Sequence, residues 1–445
     1  MAAMHDPEDP TTRAAIEACL DIVRRRGADA DPPIGATADA ADLDAALRGA
    51  ITFDGLGVDA AVGLVRDVID PAVVALDSPR FVALIPAAPT LAAKAFDAVV
   101  ATMTYSPESW LEAAGAIAAE NQVLRLLADA AGLPSGAGGC FTSGGSAANL
   151  AGLAVARDRG HGAGSVVLVS SAAHASVARA AHLLGIEVRD VQADDRGRLL
   201  GAAVGDALGS TPNVSAVVAS AGTTNAGVID DLDGIADACE RHGVWFHVDA
   251  AYGGGALLAP SVRPRFHGIE RADSIVIDPH KWLFSTLDCG ALLYRRPELA
   301  VATFRQEASY LELLHADGGW NPSDYAFHLT RRARGLPLWF SLVVHGTSAY
   351  VDAIERALAL TRSAAEMIRS TPGVTLLNDP DLSVLLFARD GWVEADYLVW
   401  ARRLLDDGIA FVVPSRWHGE VVGRAVFLHP STSIELFESI LAAMR

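Results

Sequence analysis

The stretch Asp278-Pro-His-Lys-Trp282 places a lysine directly after Ser274-Ile-Val-Ile277, an apolar run that is typical of a buried strand. Upstream, a second apolar run covers residues 244–248 and is followed by Asp249. An unpaired ammonium group would be costly among the apolar side chains on both sides of Lys281, so we do not expect an ordinary surface lysine there. The sequence therefore predicts an amine and a carboxylate at the ends of two different strands.

Apolar strands alternate with helices through the middle of the chain. Strands are predicted over residues 166–169, 214–219, 244–248, 274–277 and 290–294. Helices are predicted over residues 174–184 and 232–242. This alternation is typical of βαβ units, so we expect an α/β fold, with a mostly parallel sheet in a large domain and helices on both faces. Ligands of such sheets bind beyond the carboxyl ends of the strands, where Asp249 and Lys281 fall.

The two ends of the chain have different patterns. A helix is predicted over 13–25, within an N-terminal helical arm that we expect to cover 1–85. The large domain is expected at 86–338, and a smaller C-terminal α+β domain at 339–445. The elements predicted for this last part are, in chain order, helix 341–369, strands 374–377 and 383–387, helix 394–407, strands 409–413 and 424–428, and helix 433–444.

The composition argues against several classes of function. The net charge is −19, whereas nucleic acids and anionic membranes attract concentrated positive charge, so neither is expected as a partner. The four cysteines are far apart and form no CxxC pair, so we predict neither a disulfide framework nor a metal site. The acidic N-terminus does not resemble a signal peptide, and no apolar run is long enough to span a bilayer. We expect a cytoplasmic protein with reduced thiols.

A glycine-rich turn precedes a predicted helix within the stretch Phe141–Leu150. Its small residues would let a phosphate approach the backbone N–H groups of a helix N-terminus, and Ser146 could add a hydroxyl group. The alternative is an ordinary glycine turn in which Ser146 caps the helix. The phosphate-binding pattern GxxxxGK[ST] is absent, so a P-loop is not predicted.

Three further polar side chains have two interpretations each. His174 begins a predicted helix and could stack on a flat ring or only bond the backbone. Thr224 follows a strand and could bond a phenolic oxygen or cap the next helix. Tyr310 precedes a Gly-, Asp- and Pro-rich segment at 315–323, which is typical of a loop. A phenol on such a loop could protonate a carbanion, or the ring could simply be packed.

Asp249 and Lys281 together have the chemistry that pyridoxal 5'-phosphate requires. Each has an ordinary alternative, since Asp249 could be a turn residue and Lys281 a solvated one. A lysine amine, however, can hold the cofactor aldehyde as a Schiff base. A carboxylate can keep the pyridine nitrogen protonated, so that the ring draws electrons from the substrate. In this order on a βαβ scaffold, the two residues predict this cofactor.

The chain resembles the group II pyridoxal-phosphate-dependent amino-acid decarboxylases, which include aromatic-L-amino-acid, histidine and glutamate decarboxylases. The resemblance runs from about Phe81 to Trp339. The matching stretches are His247–Tyr252, Asp278–Trp282, Thr142–Leu150, Ala173–Val177 and, more loosely, Gly222–Thr224 and Arg331–Trp339.

The resemblance implies the fold type I of pyridoxal-phosphate-dependent transferases and a homodimer with active sites at the subunit interface. It also assigns cofactor-binding residues. They are Lys281 as the Schiff-base lysine, Asp249 at the pyridinium nitrogen, His174 stacked on the ring, Thr224 at the ring hydroxyl, Gly145 and Ser146 at the phosphate, Ala251 at the ring face, and His280 beside the lysine.

The resemblance further implies roles toward the substrate. Tyr310, with His174 and Lys281, would be catalytic, because the family's loop tyrosine returns a proton to Cα. Pro86, His280 and Tyr310 would contact the substrate, which we expect to be a small molecule, an amino acid.

Three features depart from the family pattern. Leu336-Pro-Leu-Trp339 replaces the common Leu-Lys-x-Trp, and the loop between Tyr310 and Arg331 is shorter than in the aromatic enzymes. Large aromatic side chains of the aromatic enzymes' pocket are replaced by Leu76, Ile85 and Ala101, which counts against an aromatic substrate.

We therefore expect α-decarboxylation of an L-amino acid to an amine and CO₂. Family grounds favour an aromatic or bulky apolar side chain. The alternatives are an O₂-consuming aldehyde synthase, a carbon–carbon lyase on the same fold, and a non-enzymatic protein that keeps the cofactor fold. In the family, aldehyde synthesis accompanies loss of the loop tyrosine or the stacking histidine, so the presence of both Tyr310 and His174 favours simple decarboxylation.

Overall fold

The computed structural model describes residues 5–29, 31–162, 164–306 and 319–444. Tyr310 lies outside the described residues. Within them, no helix combines the length and the apolarity needed to cross a membrane.

The first part of the described chain forms three helices, none of which has a fully buried residue. They are α1 (Pro10–Ala28), α2 (Ala40–Leu47) and α3 (Val58–Leu64). The helix predicted over 13–25 is confirmed as the centre of α1, which starts at a capping carboxylate of Asp9 followed by proline. Its apolar residues Ile16, Leu20 and Val23 are about half exposed, so this arm has an apolar face that its own chain does not cover.

In the described part of the chain, seven strands form one central sheet. They are β1 (Gly138–Thr142), β2 (Val166–Val169), β3 (Glu187–Asp190), β4 (Val214–Ser220), β5 (Trp245–Asp249), β6 (Ser274–Ile277) and β7 (Gly290–Tyr294). Their order is β1-β7-β6-β5-β4-β2-β3. β3, β2, β4, β5 and β6 are parallel, and β7 is antiparallel to both of its neighbours. The five predicted strands are confirmed to within one residue.

Two strands of this sheet were not predicted, for different reasons. β1 contains Gly138 and Gly139, and glycine weakens a strand pattern. A Cβ atom at Gly139 would lie only 1.8 Å from the carbonyl oxygen of Leu292, so the glycine permits close pairing with β7. β3 lies at the sheet edge with all four residues exposed, so it has no apolar pattern.

Helices pack on both faces of the central sheet. They are α5 (Trp110–Ala131), α6 (Gly145–Arg159), α7 (Ala175–Leu184), α8 (Gly201–Ser210), α9 (Leu232–His242) and α10 (Glu298–Phe304). α4 (Leu91–Met103) packs instead against α1 and the long helix Leu336–Ser370. Successive strand residues point to opposite faces, so Val248 and Ile275 belong to one apolar core while Trp245 and Val276 belong to the other. The sheet is thus buried on both sides, which explains why its strands are continuous apolar runs.

A second, four-stranded antiparallel sheet lies in the C-terminal part of the described chain. Its elements are α11 (Leu336–Ser370), β8 (Val374–Leu376), β9 (Val384–Arg389), α12 (Glu394–Asp406), β10 (Ser415–Trp417), β11 (Glu420–Val426) and α13 (Ile434–Ala442), with strand order β10-β11-β9-β8. The predicted α+β pattern is confirmed there, although α11 begins five residues before the predicted start of 341. The boundaries between the three predicted domains stay a prediction.

The strand predicted over 409–413 is wrong. Phe411 forms only an isolated bridge with Phe81, and its backbone bonds go to Arg80 and Val82. These apolar residues are buried by a segment from the start of the chain rather than by a sheet neighbour. The actual strand β10 begins at Ser415, and β11 begins four residues before the predicted start of 424.

A buried ion pair joins α5 to the segment before α11. Arg331 Nη1 donates to Glu120 Oε2 at 2.7 Å, and Arg331 Nη2 donates to Glu120 Oε1 at 2.9 Å. The backbone N–H of Gly335 also donates to Glu120 Oε1, at 2.9 Å. Both side chains are almost fully buried, so neither charge can turn to water if its partner is lost.

Replacing Glu120 by alanine is therefore expected to destabilise the fold strongly. Removing one partner of a buried pair costs about 3–5 kcal/mol, because the other charge stays buried. Urea unfolding followed by tryptophan fluorescence measures the loss. The matched control is Arg402→Ala, which breaks the exposed Arg402–Asp406 pair on α12 and should cost less than about 1 kcal/mol. Equal losses in the two variants would contradict this account.

Candidate active site

A cavity of about 470 Å³ opens at the carboxyl ends of β4, β5 and β6. The parallel arrangement brings these strand ends together, as in other open α/β sheets. Eight predicted site residues line the cavity, namely Gly145, Ser146, His174, Thr224, Asp249, Ala251, His280 and Lys281. Pro86 is buried and does not line it, although the preceding Leu84 and Ile85 do.

Lys281 forms an ion pair with a residue of its own motif. Its Nζ lies 2.9 Å from Asp278 Oδ2, and Asp278 is only 3% exposed. Among the described residues, Asp278 Oδ1 is buried and has no hydrogen-bond partner. Trp282, the next residue after the lysine, is fully buried and stacks on Tyr252 with ring centres 5.3 Å apart. The packed tryptophan holds Lys281 at the cavity wall instead of in solvent.

Asp249 ends β5, and its carboxylate is buried and held from two sides. Its Oδ1 accepts from the backbone N–H of Ala251 at 3.1 Å, and its Oδ2 accepts from Asn149 Nδ2 at 2.9 Å. Asp249 is only 7% exposed, and it lines the cavity. Neutral donors therefore orient this carboxylate, which can accept a further N–H from a bound ligand.

Two histidines of the cavity are held through one ring nitrogen each. His174 Nδ1 accepts from the backbone N–H of Ser176 at 3.2 Å and lies 2.8 Å from Ser176 Oγ. His174 thus caps α7 and also lines the cavity, so its two interpretations are compatible. His280 Nδ1 lies 2.6 Å from the carbonyl oxygen of Cys289, and burial lowers the pKa of this histidine.

The glycine-rich turn forms a cradle at the start of α6. Gly144 has a φ of +144°, which side-chain-bearing residues rarely adopt. A Cβ atom at Gly145 would lie 3.0 Å from Asp278 Oδ2 and 3.2 Å from Ala251 Cβ. The alternative in which Ser146 caps the helix is wrong, because Gly144 occupies the N-cap position and no side chain caps it.

Thr224 lines the cavity and is exposed. It does not cap the next helix, since Asp231 is the N-cap of α9. Its backbone carbonyl accepts a hydrogen bond from Arg424 Nη2 at 2.7 Å.

Arg424 lines the cavity from β11 and was not found from the sequence. Its guanidinium donates to the carbonyl oxygens of Leu84 at 2.8 Å, Thr224 at 2.7 Å and Asn225 at 3.1 Å. Within the described chain it forms no ion pair, and burial lowers its pKa to about 10. The signal in the sequence was an arginine inside the apolar run of β11, but nothing there indicated which cavity it would reach.

This set of groups fits pyridoxal 5'-phosphate. The cradle that a Cβ atom at Gly145 would fill, together with the N-terminus of α6, suits a phosphate. The amine of Lys281 suits an aldehyde, and the buried carboxylate of Asp249 suits a protonated ring nitrogen. No cluster of three or more potential metal ligands occurs in the ranges that the structure describes.

Known proteins share this sequence pattern and this fold. The family model of the pyridoxal-dependent decarboxylase conserved domain matches residues 55–389. The aromatic-L-amino-acid decarboxylase of Bacillus atrophaeus is 29% identical over 391 residues, 83% of this chain and 81% of that protein. The L-2,4-diaminobutyrate decarboxylase of Rhizobium meliloti (strain 1021) is 35% identical over 377 residues, 80% of this chain and 75% of that protein.

Solved structures extend the similarity to the whole chain. The crystal structure of Oryza sativa TDC with PLP and tryptamine has a TM-score of 0.91 to this chain at 23% identity, and the alignment covers 99% of both. This likeness confirms the predicted fold class.

Replacing Gly145 by alanine is expected to weaken the binding of pyridoxal 5'-phosphate about tenfold, because overpacking a tight site typically costs about 1–3 kcal/mol. The added methyl group would press on Asp278 and Ala251. Titration of the protein freed of cofactor, followed at the visible band, gives the affinity. Gly209→Ala is the matched control, because that helical glycine has open space around its Cβ position and does not line the cavity. Unchanged affinity in the Gly145 variant would argue against a phosphate site there.

Proposed function

The chain belongs to the pyridoxal-dependent decarboxylase family, and from that premise we propose that its substrate is an L-amino acid with an aromatic or bulky apolar side chain. The cofactor is pyridoxal 5'-phosphate, and the enzyme is an amino-acid decarboxylase, a carboxy-lyase. The observation that carries the substrate proposal is the apolar part of the cavity wall, formed by Leu84, Ile85, Val413 and Pro414. An uncharged, bulky side chain would be desolvated against this wall at little cost.

The charges in the cavity support the same substrate class. Asp249 would pair with the cofactor nitrogen, and Asp278 pairs with Lys281, so neither carboxylate would be available to a cationic side chain. Arg424 is the one arginine of the described cavity lining, and the α-carboxylate of any amino acid would compete for it. A second charge on the substrate would therefore be buried without a partner, which is costly.

Pyridoxal 5'-phosphate, when bound, supplies an acceptor for the electron pair that the departing CO₂ leaves at Cα. Lys281 would hold its aldehyde, which requires a neutral amine. Asp278 Oδ2, 2.9 Å from Lys281 Nζ, is positioned to accept the proton that this amine gives up. Asp249 would accept the ring N–H and keep the nitrogen protonated.

The remaining residues would orient the reacting groups. Gly145 and Ser146 would bind the phosphate at the N-terminus of α6, and Thr224 would bond the ring hydroxyl. His174 and Ala251 would contact the two ring faces. Pro86 would act on the substrate through the Leu84–Ile85 segment that it follows, since it does not line the cavity itself.

Arg424 would bind the substrate α-carboxylate, because its guanidinium faces the cavity without an anionic partner in the described chain. Holding the bond that breaks in one orientation is a large part of the catalysis that a protein can add to its cofactor. His280 lies beside Lys281 and would contact both cofactor and substrate.

Tyr310 would return the proton to Cα, a role that rests on the family resemblance alone. The presence of both Tyr310 and His174 supports decarboxylation over aldehyde synthesis. We also place the enzyme in the cytoplasm, on the ground that its four cysteines are unpaired thiols.

The substrate proposal predicts the outcome of a turnover assay on a panel of L-amino acids. The best aromatic or bulky apolar substrate should exceed glutamate and 2,4-diaminobutyrate by about 100-fold or more in kcat/KM, because a buried unpaired charge costs several kcal/mol. Amine and CO₂ should form in equal amounts without peroxide. A preference for glutamate or diaminobutyrate would reject the substrate class, and stoichiometric peroxide would identify an aldehyde synthase.

Two variants in the same assay test the assigned groups. Lys281→Ala should lose the visible cofactor band together with turnover. Tyr310→Phe should keep the band but form less amine and release aldehyde and peroxide. Tyr397→Phe is the matched control, since that tyrosine bonds the backbone of Arg389 beside the second sheet and does not line the cavity.

We further propose a homodimer whose interface adjoins the active site. Ile51 and Phe53 are fully exposed, and α1 presents a half-exposed apolar face. Leu84, at the cavity, is 53% exposed, so a second copy that covered this surface would also narrow the cavity. Isolated exposed apolar residues are common, but a run of them along one arm is typical of an interface.

Light scattering coupled to size-exclusion chromatography should therefore give twice the mass of one chain. The double variant Ile51→Glu, Phe53→Glu should shift the protein toward monomer at micromolar concentration and weaken turnover with it. Val399→Glu, at another exposed apolar position on α12, should leave the mass unchanged. A monomeric wild-type protein, or an equal effect of both changes, would contradict the proposed interface.

A further inference from the structure

A chain of buried hydrogen bonds runs behind the active site, and one amide connects its parts. Asn149 is 1% exposed on α6. Its Nδ2 donates to Asp249 Oδ2 and to Ser176 Oγ, each at 2.9 Å. Its Oδ1 lies 2.9 Å from Nε2 of His247, which is fully buried in β5. The amide thus contacts the carboxylate at one side of the cofactor site and, through Ser176, the histidine at the other.

The donor and the acceptor of every hydrogen bond in this buried network can be assigned. A carboxylate only accepts, so the atom of Asn149 that faces Asp249 must be Nδ2 and the atom that faces His247 must be Oδ1. His247 therefore carries its proton on Nε2. Burial lowers the pKa of this histidine to about 4, so it is neutral near pH 7, with an accepting Nδ1.

The hydrogen bonds at Trp245 and Ser274 lead to the same proton position on His247. Trp245 Nε1 can only donate, and it donates to Ser274 Oγ at 2.8 Å. Ser274 can then give its own proton to His247 Nδ1, which lies 2.7 Å away. His247 consequently acts as a fixed neutral donor toward Asn149, with no charge of its own near Asp249.

The proton positions on Ser176 and His174 follow in the same way from the bond that Asn149 donates. Ser176 Oγ accepts from Asn149, so its hydroxyl proton is free to go to His174 Nδ1 at 2.8 Å. His174 Nδ1 also accepts the backbone N–H of Ser176. A neutral His174 is therefore held with its proton on Nε2.

Gly152 allows His247 to approach α6 closely, at a cost in helix stability. Gly152 lies in the interior of α6, where glycine is unfavourable. A Cβ atom there would come within 2.7 Å of His247 Cε1. The helix accepts a glycine so that the imidazole can reach Asn149.

We propose that Asn149 is a positioning residue that sets the orientation of the Asp249 carboxylate and, together with the backbone N–H of Ser176, the tautomer of His174. The inference rests on the proposed roles of Asp249 and His174 at the cofactor. A donated hydrogen bond stabilises the charged form of Asp249, and the second donated bond directs the Ser176 hydroxyl toward His174. One amide thereby contacts the Asp249 carboxylate directly and His174 through the Ser176 hydroxyl.

Asn149→Asp is the informative variant, tested by the affinity for pyridoxal 5'-phosphate between pH 5 and 9. At high pH two carboxylates face each other, and loss of a bond to a charged group should weaken binding about 10- to 100-fold. At low pH a proton shared between the introduced carboxylate and Asp249 replaces the lost donor, so affinity should recover toward wild type. The groups that titrate or carry charge around this pair are His247, His174, His280, Asp278 and Lys281.

Ser176→Ala separates the effect of Asn149 on Asp249 from its effect on His174. It should leave the affinity and its pH dependence near wild type, because Asp249 keeps its donor. The ¹⁵N shifts of His174 should move from one tautomer toward a mixture, because only the longer bond from the backbone N–H of residue 176, at 3.2 Å, still reaches Nδ1. The resonance is assigned by comparison with His174→Gln. Asn378→Ala is the matched control, since that amide also makes three hydrogen bonds but only to backbone atoms around the second sheet.

The outcomes distinguish this inference from the proposed function. If Lys281→Ala and Asp249→Ala leave cofactor binding intact, the proposed roles fail. If those two variants lose it while Asn149→Asp binds as wild type at every pH, only the inference about Asn149 is overturned. A loss in Asn149→Asp that does not recover at low pH, or an equal loss in Asn378→Ala, would indicate a merely structural effect and also overturn it.

Discussion

The parallel alignment of neighbouring strands is the constraint on which this active site depends. Because β2, β4, β5 and β6 run in one direction, their carboxyl ends meet at one edge of the sheet. Asp249 ends one of these strands, and the segment that carries Asp278 and Lys281 leaves another. Reversal of a single strand would move its end to the opposite edge, and no local adjustment could return the side chain. The strand topology thus determines which side chains can meet at this edge of the sheet.

The buried carboxylates of the site must each be stabilised by hydrogen bonds or by an ion pair. The cavity lining includes two carboxylates, and each is held by specific donors rather than by bulk water. Asp249 accepts from a backbone amide and from Asn149, while Asp278 pairs with Lys281. The buried pair of Glu120 and Arg331 follows the same rule away from the cavity, where it links α5 to the start of α11. In each case the partners are fixed by the fold, so that orientation is obtained without loss of side-chain entropy during binding.

The sequence predicts the central strands well because strands buried on both faces are continuous apolar runs, as in Val166–Val169. It fails at β3, whose exposed residues have no pattern, and at 409–413, where an apolar run is buried by Arg80–Val82 without joining a sheet. Lys281 and Asp249 were recognisable because their chemistry is local to a motif. Asn149 and Arg424 were not, because their contacts join residues from 27 to 340 positions apart, and no local pattern encodes such contacts.

Residues from the parts of the chain that form the two sheets line the cavity together. Asp249 and Lys281 come from the central sheet and the segment that follows it, whereas Arg424, Val413 and Pro414 come from the C-terminal part. Tyr252 joins the two parts, since its hydroxyl accepts from the backbone N–H of Ser383 at 2.8 Å while its ring stacks on Trp282. A change in the C-terminal part can therefore alter this wall of the cavity without moving Lys281 or Asp249. This division separates the groups proposed to hold the cofactor from part of the wall proposed to contact the substrate.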